Sequence, residues 1–165
     1  MRRFGLTMVA ALLAVTLAGC GKPAPEAKGG GEPAPAAAPS EAGKAAVLAA
    51  LPPPFHTADL KAGEAKFGVC KSCHTITPGG AAMTGPNLYG VFGRKAGTAA
   101  GFNYSDPLKQ AGFSWDLHHL DSWLANPRTF LPGTKMTFVG FKDAKDRTDV
   151  IAYLAVETGY KPAPK

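Results

Sequence analysis

The chain has 165 residues, 15 prolines, 20 glycines and a formal net charge of +6, enough for one domain with extensions but not for two full domains. Losing Arg2 and Arg3 with a leader would leave 16 basic against 12 acidic residues, too mild and scattered an excess to follow a phosphate backbone, so the balance disfavours nucleic acid and favours acidic protein partners. Three cysteines, Cys20, Cys70 and Cys73, are an odd number and argue against a disulfide framework.

The chain opens with Met1-Arg2-Arg3, an apolar run from Leu6 to Leu17, and Leu17-Ala18-Gly19-Cys20. A basic start, a short apolar stretch and small residues before a cut read as an export signal over 1–19. The run is shorter than a membrane-spanning helix requires. Leu-Ala-Gly-Cys resembles the bacterial lipobox, which makes Cys20 the acylated first residue of the mature chain. The alternatives are an uncleaved N-terminal anchor or a soluble periplasmic protein.

Residues 20–56 are rich in Ala, Pro and Gly and offer little to bury. Such a stretch cannot offset its ordering entropy and is expected to act as an extended, mobile leash. Within it, Ala42–Leu51 is compatible with a short helix. Nearly all the aromatic residues lie from Phe55 onward, which places the folded domain at 57–160 and leaves 161–165 as a tail. A core this small gains from a large apolar cofactor.

Asp59 is a suitable N-cap for a helix whose Leu60, Gly63, Phe67, Cys70 and His74 fall on one face. Its far end carries Cys70-Lys71-Ser72-Cys73-His74, the C-x-x-C-H pattern of covalent haem attachment. Two thiols two residues apart add across the haem vinyl groups, and the following histidine is directed at the iron. A redox dithiol would need a βαβ context, and a zinc site would need further ligands at metal spacing; neither is present. Further on, Ser105-Asp106-Pro107 opens a short helix stopped by Gly112. Ser114 or Asp116 caps a third, with Leu117, Leu120 and Leu124 on one face and Asn126-Pro127 as its stop. A last helix runs from about Asp146 to Thr158. The expectation is an all-α domain of about four helices wrapped around one haem.

A carrier needs a second axial ligand. Met83, Met136, His56, His118 and His119 are the candidates. Met136 is favoured because Pro132-Gly133 sets a turn just before it, giving a rigid loop far along the chain from His74. Met83 follows His74 closely in a Gly-rich loop, and His118 and His119 cannot both face one haem from a single helix.

From Asp59 to Glu157 the chain resembles a class I cytochrome c of the mitochondrial and bacterial c2 type. Cys70-Lys71-Ser72-Cys73-His74-Thr75, the run from Thr84 to Arg94, Gly101-Phe102-Asn103-Tyr104, Asn126-Pro127 and Pro132-Gly133-Thr134-Lys135-Met136 carry the resemblance. It implies that the Pro86 carbonyl accepts the second ring N–H of His74. It implies that Arg94, Tyr104 and Trp115 meet the haem propionates, that Thr134 lies beside the methionine loop, and that Phe138 lies beside the exposed haem edge. Gly63 and Phe67 would cross Val150 and Tyr153 of the last helix. Leu108 and Trp123 depart from residues usual in the family. Lys71, Arg128, Lys135 and Lys142 are the expected docking residues for an acidic partner. The implied function is one-electron transfer by a membrane-tethered monomer, from a cytochrome bc1-type donor to a terminal oxidase or a photosynthetic complex. It is not catalysis.

Overall fold

The computed structural model describes residues 39–161. The proposed leader, Cys20 and most of the C-terminal tail lie outside them. Six α-helices follow in order: α1 Glu41–Ala50, α2 Leu60–Phe67, α3 Asp106–Gln110, α4 Leu117–Ala125, α5 Pro127–Phe130 and α6 Ala144–Glu157. A single 3-10 turn, Phe55–Thr57, joins α1 to α2. No strand occurs among the described residues; Lys95 and Ser114 form one isolated bridge. None of these helices is long and apolar enough to cross a membrane.

The scaffold is centred on α6. Every residue from Asp149 to Val156 is buried, so this stretch of the helix is enclosed instead of presenting one apolar stripe. Helices α1, α2 and α4 lie against it. The α2 crossing depends on Gly63, where a Cβ would collide with the Asp149 carbonyl and stand 2.9 Å from Tyr153 Cβ. One turn on, the Phe67 and Tyr153 rings meet at 5.6 Å. The buried Asp149 carboxylate has two partners: it accepts from the Asp59 backbone N–H at 3.0 Å and from Lys145 Nζ at 2.6 Å. A buried charge requires such partners.

Several elements differ from the sequence expectation. Helix α2 ends at Phe67, with Gly68 as its cap, so Cys70–His74 is carried by turns instead of a continuing helix. The Cys73 and His74 N–H groups both donate to the Cys70 carbonyl, which keeps the motif compact. Asn126-Pro127 stops α4 and also starts α5: the Asn126 side chain accepts from the Thr129 N–H, and Pro127 occupies the first turn, where its missing N–H costs nothing. The expected leash is ordered from Ser40, which caps α1. Leu51 is 4% exposed in the core, and Lys44 bonds Glu157 of α6 at 2.8 Å.

Candidate functional site

A cavity of about 350 Å³ opens on one side of this scaffold, within the range of small-molecule and cofactor sites. Cys70, Cys73, His74, Pro86, Arg94, Tyr104, Trp115, Thr134, Met136 and Phe138 all line it. These are the ten cofactor and iron residues expected from the sequence. Met83, His56, His118 and His119, weighed against Met136, are not among its lining. Leu108 and Trp123, the two departures, both line it.

Local structure orients each group. His74 Nδ1 is bonded to the Pro86 carbonyl at 2.8 Å, which leaves Nε2 for a metal. The Gly85-Pro86 backbone can approach the imidazole this closely only because Gly85 has no side chain; a Cβ there would lie 2.6 Å from His74 Nδ1. Burial pushes the His74 pKa down, against the opposing pull of the Pro86 hydrogen bond. Burial thus favours the neutral ring, the form a metal ligand takes. Cys70 and Cys73 form no disulfide with each other. Burial pushes the Cys70 thiol up to about 11, with Cys73 adding to the shift, the reverse of the lowered value that marks a redox cysteine.

The methionine loop is pinned at both ends. The Met136 N–H donates to Thr134 Oγ1 at 3.2 Å. At the far end, Gly140 has φ +91 and lies against the Ala125 carbonyl, where a Cβ would collide, and the Phe141 N–H donates to the Leu124 carbonyl. The loop is therefore tied to the end of α4.

Arg94 is half-buried. Its guanidinium donates to the carbonyls of Asn87 at 3.0 Å and Tyr89 at 3.3 Å, and no carboxylate pairs with it among the described residues. Burial lowers its pKa and raises that of Tyr104, which the Arg94 charge partly offsets. Asn87 was not singled out from the sequence, yet it organises the loop. Its Nδ2 donates to the Thr77 and Gly80 carbonyls, and its Oδ1 accepts from the Tyr89 N–H. Its place directly after Gly85-Pro86 is the signal that could have found it.

Of the four expected docking residues, Lys135 lines the cavity and donates to the Asn103 and Tyr104 carbonyls. Lys71, Arg128 and Lys142 are exposed and outside the lining. Lys71 lies 3.8 Å from Glu64.

An apolar cavity in an all-α frame, lined by two cysteines, one imidazole and one thioether, defines a small haem-binding electron carrier. The cytochrome c family model matches residues 60–156. Cytochrome c2 of Rhodomicrobium vannielii is 47% identical over 105 residues, covering 64% of this chain and 84% of that protein. Cytochrome c of Cochliobolus lunatus is 45% identical over 63% of this chain and 97% of its own length. Among solved structures, cytochrome cH from Methylobacterium extorquens superposes with a TM-score of 0.55 at 47% identity, covering 58% of this chain and 96% of that one. The chain belongs to the cytochrome c family. It is a class I cytochrome c with one covalently attached haem c, an electron-transfer protein and not an enzyme.

Proposed function

We propose that this carrier works from the periplasmic face of a bacterial membrane, held there by acylated Cys20, and passes single electrons between a quinol-oxidising, cytochrome bc1-type donor and a terminal oxidase or photosynthetic acceptor. Cys70 and Cys73 hold the haem through thioethers. His74 and Met136 would hold its iron. Arg94, Tyr104 and Trp115 receive the propionates, and the uncompensated Arg94 charge fits that role. Bound haem supplies the reversible Fe(III)/Fe(II) couple. The chain's own groups determine how it is used: the Pro86 carbonyl fixes the His74 tautomer, the Thr134 hydroxyl sets the Met136 loop, and the aromatic lining excludes water. A thioether ligand favours Fe(II) and raises the potential above that of a bis-imidazole site.

The observation that carries this reading is the convergence of Cys70, Cys73, His74 and Met136 on one cavity. The test is optical. The reduced holoprotein should keep its spectrum under carbon monoxide. A shifted spectrum would indicate an open iron position, as in a small peroxidase or gas sensor, and would reject the carrier. Mass spectrometry of the mature N-terminus tests the tether: acyl chains on Cys20 are expected, and an unmodified or uncleaved terminus would remove the lipid anchor from the account.

A further inference from the structure

Two side chains of the site are held by backbone carbonyls. His74 Nδ1 bonds the Pro86 carbonyl at 2.8 Å. Arg94 donates to the carbonyls of Asn87 at 3.0 Å and Tyr89 at 3.3 Å. The Pro86 and Asn87 carbonyls belong to the two peptide groups on either side of one α-carbon, that of Asn87. No helix or strand runs through 84–94, so no regular ladder of hydrogen bonds fixes these carbonyls in place. The main chain is tied on each side of them, by the Gly85 N–H to the Cys73 carbonyl at 2.9 Å and by the Leu88 N–H to the Thr75 carbonyl at 2.8 Å.

Between those ties stands the Asn87 side chain. Its Nδ2 donates to the Gly80 carbonyl at 2.7 Å and the Thr77 carbonyl at 2.9 Å, and its Oδ1 accepts from the Tyr89 N–H at 2.6 Å. A primary amide has two N–H donors and one carbonyl acceptor, and all three are used here. Asp would keep the acceptor and lose both donors, Ser has a single donor, and Gln is a methylene longer. Gly80 completes the fit, because a Cβ there would stand 2.9 Å from Asn87 Nδ2 and 2.6 Å from Thr77 Oγ1.

We infer that Asn87 is a positioning residue for electron transfer, one amide that governs two determinants of the potential together. Through the Pro86 carbonyl it sets how strongly the His74 ring N–H is bonded, and so how basic the imidazole is toward iron. Through its own carbonyl and that of Tyr89 it places the Arg94 guanidinium. The inference rests on the proposed roles of His74 and Arg94 toward haem. The two effects have opposite signs. A looser Pro86 bond makes the imidazole a poorer electron donor, which favours Fe(II) and raises the potential. A displaced guanidinium leaves propionate charge uncompensated, which favours Fe(III) and lowers it.

Hydrogen exchange and voltammetry of the haem-loaded protein test this. In Asn87→Ala the His74 ring N–H of the reduced protein, followed by NMR, should exchange with solvent about tenfold faster than in the wild type. The Arg94 arm is isolated by a double-mutant cycle. In an Arg94→Gln background Asn87→Ala acts through His74 alone and should raise the potential; with Arg94 present the shift should be more negative. Asn87→Ser keeps an oxygen for the Tyr89 N–H but lacks the second donor. Its ring N–H should exchange at a rate between those of the wild type and Asn87→Ala, and the same cycle run with Ser serves if the Ala variant does not mature. An unchanged ring N–H exchange rate, or equal potential shifts in the two backgrounds, would overturn the inference and leave Asn87 a brace for its loop, even if the unfolding midpoint fell. Carbon monoxide binding by the reduced wild type is a separate result: it would reject the carrier reading, and the inference with it.

Discussion

The side chain most dependent on its surroundings is Met136. A thioether is a weak ligand on a long, flexible stem, and Thr134 Oγ1 restrains it through the Met136 N–H. Met136→Ala should therefore open the iron position. The expected outcome is loss of the oxidised near-infrared sulfur–iron band, appearance of carbon monoxide binding in the reduced state, and a lower potential; an unchanged band would reject this ligand. That Cys70, Cys73, His74 and Met136 meet at one cavity was legible in the sequence, because C-x-x-C-H groups three of them and the Pro-Gly turn singles out Met136 from Met83. What was not legible is what holds them. Gly85 matters through the Cβ it lacks, and Asn87 through bonds to carbonyls ten and seven residues away. Neither residue type announces such a role in one dimension.

Helices carry the next level of cause. Gly63 lets α2 and α6 touch along their backbones, so Gly63→Ala would force them apart or shift Tyr153. The expected cost is about 2–3 kcal/mol, measured by denaturant unfolding of the holoprotein; a loss within error of zero would show that the crossing relaxes freely. The α2 N-terminus responds to acid. The Ala62 N–H, with that of Lys61, holds the Asp59 carboxyl below its ordinary value of 3.8. A folded value below the unfolded one means that the cap's contribution is fully present above the ordinary value and is lost as pH falls through the folded one. Asp59→Asn keeps a cap without a titrating group, so its acid-unfolding curve should be less steep; a curve superimposable on the wild type would remove this carboxyl from the acid transition. Helical periodicity placed α2, α4 and α6 but overran α2, because the Leu60-to-His74 spacing continues past the point where Gly68 caps the helix. For α5, Asn126-Pro127 was read as a stop alone, although an Asn cap followed by proline is also a start signal.

At the scale of the whole described body, residues 39–59 ahead of α2 are part of the fold and not only a leash. Its Ala- and Pro-rich composition hid the few residues that anchor it: Leu48 and Leu51 reach the core, and Lys44 reaches Glu157. Leu51→Ala should destabilise the protein by about 2–4 kcal/mol. Because no residue of this segment lines the cavity, the visible spectrum of the bound haem should be unaffected. A spectral change would mean that α1 bears on the haem pocket after all. All-α class and haem attachment could be read directly from the chain, whereas the docking of α1 depends on three contacts spaced too widely to form a pattern.

The pairing of Lys44 with Glu157 has a practical side for anyone labelling this protein. This pair holds α1 beside the end of α6, and neither Lys44 nor Glu157 lines the cavity. A label carried on either of these helix ends would therefore sit on a residue outside the cavity lining.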